Sequence, residues 1–147
     1  MPTLPIGFDP PYKLYAHEKP GIRYYKLLKT LREIPPGVSK RLYIDEMDDI
    51  LTQLYMGKEE AARLESKGHA EEASKLYQQL VEAHFDDPQP YLRLREFYIK
   101  FQEPELAAQV CAEYIKMATS LKELGYDHPH REALIESFAE LCNVEDG

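Results

Sequence analysis

One stretch of this chain repeats itself. Shifted forward by 34 positions between residues 55 and 117, apolar residues fall on apolar residues: Leu64 on Tyr98, Ala73 on Ala107, Tyr77 on Cys111, Leu80 on Tyr114 and Val81 on Ile115. Ala70 falls on Pro104, and the turn Gly68-His69 falls on Gln102-Glu103. A period near 34, with helical spacing on both sides of a turn, belongs to helix-turn-helix units that cannot bury their apolar stripe alone and therefore stack. The predicted fold class is all-α: helical-hairpin repeats in an α-solenoid. Scarce glycine, 7 residues in 147, and the near absence of β-branched runs agree with it.

At these positions the chain resembles the tetratricopeptide repeat superfamily, with about two divergent repeats. The first copy carries the resemblance in Gly68, the small Ala73 where two helices cross, Tyr77, Leu80 and Pro88; the second adds Tyr91, Leu94 and Tyr98 at bulky positions and Ala107 at the crossing. The chain departs from the pattern at Gly57, Glu60, Arg95 and Cys111. The resemblance implies an inner groove, lined by the first helix of each repeat, that receives an extended peptide or a partner helix. Carried over position by position, that groove consists of Tyr55, Lys58, Ala62 and Glu65, then Gln89, Leu92, Arg93, Glu96, Ile99 and Lys100. Lys58 fits one basic position of the carboxylate clamp known from such grooves, but Ala62 and Arg93 stand where asparagines are needed, which argues against that use.

Reading outward divides the chain into an extended proline-rich arm at 1–20 and a single helical domain at 21–147. The arm holds Pro2, Pro5, Pro10, Pro11 and Pro20, which remove donors and bias their predecessors away from helix. Two N-terminal helices are expected within 21–56: Ile22, Tyr25, Leu28 and Leu31 recur at helical spacing before Pro35-Pro36-Gly37 stops the first, and Ser39 is placed to cap the second. Gly57 costs about 1 kcal/mol in a helix interior, so this second helix is expected to break near Met56. The two repeats then occupy 57–124, with helices over 59–66, 70–84, 90–101 and 104–124, and Gly125 serving as a left-handed stop. A capping helix within 128–142 closes the stack with Leu134, Phe138, Leu141 and Cys142.

Charge separates the front from the body. Residues 1–42 hold 8 Lys and Arg against 3 Asp and Glu, a balance of +5, and residues 43–147 hold 10 against 23, a balance of −13. Tyr12, Lys13, Tyr15, Arg23, Tyr24, Lys26, Lys29 and Arg32 interleave cations with aromatic rings, a composition that serves a protein partner or stacks on nucleic acid. The acidic body repels a polyanion, which places a protein partner first. The alternative is a helical domain of a transcription regulator that contacts nucleic acid through the basic segment. No membrane partner is expected: no apolar run reaches 18 residues, and the first residues lack a leader pattern. Cys111 and Cys142 read as reduced packing residues of a cytoplasmic protein.

Nothing in the sequence assembles a catalytic constellation. His128 and His130, with Asp127 and His84, form the only hint of a metal site, and no further ligand is fixed beside them, so they read as a turn. Asp86-Asp87 and the acidic residues from 45 to 49 lack the glycine and terminal glutamate of a calcium loop. No glycine-rich phosphate loop and no nucleophile signature is present. The expected function is a non-catalytic protein–protein interaction module, without cofactor or metal, acting as an adaptor or subunit through its groove or its basic extension.

Overall fold

The computed structural model describes residues 19–126 and 129–144. The expected arm lies outside them except for Lys19 and Pro20, as does the turn at Asp127-His128. The described residues form six helices: α1 (Pro20–Glu33), α2 (Arg41–Ser66), α3 (Ala70–Glu82), α4 (Pro88–Lys100), α5 (Pro104–Glu123) and α6 (Pro129–Val144). They contain no strand.

The 34-residue echo reappears in the backbone. Helices α2 and α4 end 34 residues apart, at Ser66 and Lys100, and α3 and α5 begin 34 apart, at Ala70 and Pro104. Between them lie two copies of one turn. Gly68 and Gln102 both take the left-handed conformation, at φ of 85° and 59°. In the first turn the Gly68 amide donates to the Glu65 carbonyl at 3.1 Å and His69 to Leu64 at 2.9 Å; in the second, Gln102 donates to Ile99 at 3.1 Å and Glu103 to Tyr98 at 2.8 Å. This pair of bonds satisfies carbonyls that a helix C-terminus otherwise leaves open. The same arrangement closes α3 at His84 and α5 at Gly125. Ala73 and Ala107, the two predicted crossing positions, are both buried.

The break expected near Met56 does not occur. Helix α2 runs unbroken for 26 residues, and Gly57 lies inside it. Its buried positions, Met47, Ile50, Leu54, Gly57 and Ala61, are spaced by three and four, so one apolar stripe continues through the glycine. Burying a single leucine or isoleucine contributes about 1.5–3 kcal/mol, more than the propensity lost at Gly57. The other boundaries shift by a turn or less. Lys40, not Ser39, occupies the N-cap of α2, although the Ser39 hydroxyl still accepts from the Arg41 amide at 3.4 Å. Asp87 caps α4 by accepting from the Gln89 amide at 2.9 Å, with Pro88 in the first turn where its missing N–H costs nothing.

Alternate helices run in the same direction. Lys58 and Glu65 of α2 pair with Asp87 and Arg93, in N-to-C order on both sides. From α4 to α6 the order is kept again: Asp86, just before α4, pairs with Arg131, and Tyr91 meets Phe138. Helices α3 and α5 make the return passes, and Tyr91, Tyr114 and Phe138 join α4, α5 and α6 in the core. The Tyr114 and Phe138 rings stack at 4.1 Å and 15°, while Tyr91 meets Tyr114 edge to face at 5.2 Å.

Helix α1 packs chiefly on α2 and reaches the turns after α3 and α5. Its Gly21 amide donates to the Ala83 carbonyl at 2.8 Å, and Leu27 is buried in the core. The Tyr25 ring packs 4.9 Å from that of Tyr126 in the turn after α5.

Candidate functional site

The residues predicted to line a groove converge where α2 and α4 run side by side. Lys58 Nζ reaches Asp87 Oδ2 at 2.5 Å, so the residue that caps α4 also fastens it to α2. Nearly two turns further on, Arg93 Nε donates to Glu65 Oε2 at 3.1 Å, with Nη2 donating to the same carboxylate. Arg93 Nη1 reaches Glu96 at 2.7 Å, and the Tyr77 hydroxyl of α3 donates to Glu65 Oε1 at 3.0 Å. The bonds from Arg93, with a smaller share from Tyr77, hold the Glu65 carboxyl below the usual range against the opposing effect of burial. Burial, reinforced by Glu65, pushes the Tyr77 phenol up. Beside this network lies a shallow pocket of about 120 Å³ walled by Glu65, Tyr77, Arg93, Glu96, Phe97 and Lys100.

Large apolar side chains alternate with these ion pairs. Tyr55 is 48 % exposed, Leu92 37 % and Ile99 41 %. Ala62 and Lys100 are exposed with them, and Gln89 is half-buried beside the α4 cap. The face is thus a polar frame already locked between two helices, with apolar residues standing out of it.

The predicted basic segment is distributed differently. Tyr12, Lys13 and Tyr15 lie outside the described residues. Arg23 Nε bonds Glu46 of α2 at 3.2 Å, and the Arg32 guanidinium sits 5.0 Å from the Tyr126 ring centre. Tyr24 meets Tyr25 edge to face, while Lys26 and Lys29 occupy exposed positions of α1. Of the residues considered for metal, His128 is outside the described set, His130 is exposed and His84 is buried. Among the described residues no three His, Cys, Asp or Glu side chains gather to hold a metal ion. No helix among them is long and apolar enough to cross a membrane.

A second cluster went unforeseen. Arg131 of α6 is 1 % exposed; its Nη1 and Nη2 donate to the two oxygens of Asp86 at 3.1 Å each, and its Nε donates to the Tyr126 carbonyl at 3.0 Å. Tyr25 of α1 completes the set, its hydroxyl donating to Asp86 Oδ2 at 2.6 Å. One carboxylate therefore ties α1, the turn before α4 and α6 together. The trace of this in the sequence is slight: Asp87 alone suffices to cap α4, which leaves Asp86 without a local task.

Comparison with protein-family models, curated proteins and solved structures finds no match to this chain.

Proposed function

We propose that this chain is a non-catalytic, tetratricopeptide-like interaction module that docks a segment of a partner protein along α2 and α4, as an adaptor or subunit of a larger assembly. The observation that supports this reading most is the exposure of Tyr55, Leu92 and Ile99 beside two ion pairs, Lys58 with Asp87 and Arg93 with Glu65, that already bridge the helices. Preorganised polar groups need no rearrangement on binding, and the apolar side chains beside them supply contact area. The basic extension takes a lesser part, because Arg23 and Arg32 are held by Glu46 and Tyr126.

Lys58 and Arg93 are poor probes of docking, since reversing either charge breaks a bond between the two helices. A photo-crosslinking residue at Leu92 is the better test, with one at Lys75, exposed on α3, as the control. The reading expects a discrete protein adduct from Leu92 that Lys75 does not give and that Tyr55→Glu abolishes. Equal adducts from both positions, or none from Leu92 in the native host, would overturn it.

A further inference from the structure

We propose that the cleft between α1, the middle of α2 and the turn before α4 receives a methylated ammonium group carried on a side chain of the docked partner, an inference that rests on the interaction reading above. The cleft measures about 180 Å³, and its walls include Tyr24, Tyr25, Tyr55 and Phe85. These rings form two perpendicular pairs: Tyr24 with Tyr25 at 5.2 Å and 88°, and Tyr55 with Phe85 at 5.1 Å and 87°. Aromatic faces carry negative potential and attract cations, and several rings turned toward one space make the cage that holds quaternary ammonium groups. A cleft walled by four rings suits a round cation.

The surrounding charge has the matching sign. Asp86 lines the cleft, and 18 % of its side chain stays exposed although Tyr25 and Arg131 both bond it. Asp48 lies near enough to the Tyr24 phenol to raise its pKa, after burial. The two cations beside the cleft are each held by a carboxylate, Arg131 by Asp86 and Lys58, 6.0 Å from the Tyr55 ring centre, by Asp87, so Asp48 leaves the surroundings with a negative excess. Leu51 and Leu54 complete the lining with hydrocarbon, which favours methylated nitrogen over a bare ammonium whose hydration shell is hard to strip. Tyr55 belongs to both the cleft and the α2 and α4 face, so a segment lying along that face passes the mouth of the cleft.

The test is a titration of the full chain followed by NMR of the tyrosine rings, with four probes: tetramethylammonium, tert-butanol as its neutral counterpart, end-capped trimethyllysine and end-capped lysine. Saturable shifts at Tyr24 and Tyr55 are expected with tetramethylammonium, at an affinity at least tenfold above that of tert-butanol. Trimethyllysine should bind at least tenfold more tightly than lysine. Tyr55→Ala should weaken both cations tenfold or more, and Tyr55→Phe, which keeps the ring, should not. Equal binding of tert-butanol and tetramethylammonium, equal binding of the two lysines, or an absence of saturation would each overturn the proposal. Because these probes need no partner, failure here is separate from failure of the Leu92 crosslink.

Discussion

The amide of Gly21 lies 2.8 Å from the carbonyl oxygen of Ala83, and the carbonyl oxygen of His84 occupies the space a side chain at position 21 would need. The positive end of α1 meets the negative end of α3 here, and each satisfies a group the other leaves open. A Cβ at 21 would stand 1.9 Å from the His84 oxygen, which is backbone and cannot swing aside. Gly21→Ala is therefore expected to cost about 2–4 kcal/mol, from overpacking together with the lost hydrogen bond. Hydrogen exchange should show lost protection in α1 while α4 and α5 keep theirs. Unchanged melting and unchanged exchange would contradict the close approach.

Gly68 and Gln102 sit in equivalent turns, yet only one is glycine. A non-glycine residue in the left-handed region costs about 1–2 kcal/mol, and glycine returns part of that through its larger unfolded-state entropy. Gln102→Gly should accordingly stabilise the chain by about 0.5–1 kcal/mol, and Gly68→Ala should destabilise it by about 1 kcal/mol. Chemical denaturation of both variants checks the pair, and a destabilised Gln102→Gly would count against the turn geometry.

Local chemistry explains what could be read from the sequence beforehand. The 34-residue echo located helix ends closely because a turn and its flanking apolar positions lie within a few residues of one another. Gly57 misled because propensity is a local quantity, whereas the stripe from Met47 to Ala61 draws its stability from neighbouring helices. The resemblance to tetratricopeptide repeats implied one groove for Lys58, Glu65 and Arg93, but their pairing with Asp87 and with each other needs α2 and α4 to be docked. Arg131 was wholly hidden, since a lone arginine in a helix carries no period that marks it for burial.

Removing Arg131 should be among the most damaging single changes. Arg131→Met leaves the Asp86 carboxylate without its bidentate partner, and breaking a buried ion pair from one side costs about 3–5 kcal/mol. Asp86 keeps partial exposure, so the lower end of that range is expected. Tyr25→Phe, which loses a hydrogen bond to a charged group, should cost about 1.5–3 kcal/mol. The two losses share one acceptor and should not add. Strict additivity in a double-mutant cycle would argue that Tyr25 and Arg131 are not coupled through Asp86.

Stability should fall on acidification in two windows. Burial depresses the His84 pKa, opposed by Glu113, whose carboxylate lies 3.9 Å from Nε2, with Lys19 and Lys116 also facing the ring. The unfolded chain then binds this proton first, so the contribution is whole above about pH 6.5 and is lost as pH falls from there through the lower folded value. Glu65, also depressed, contributes above its unfolded value and loses that stability only in the more acidic range. His84→Asn, which tolerates the left-handed backbone, should flatten the upper window and leave the lower one. Denaturant midpoints measured from about pH 2 to 8 for both proteins decide it.

A row of helical hairpins is ordinarily held only neighbour to neighbour, so its ends can peel away one unit at a time. Here Asp86 is the knot that joins the first described helix, through Tyr25, to the last, through Arg131. A disturbance at either of these helices therefore reaches the other through a single carboxylate, a tie that chain order alone does not provide.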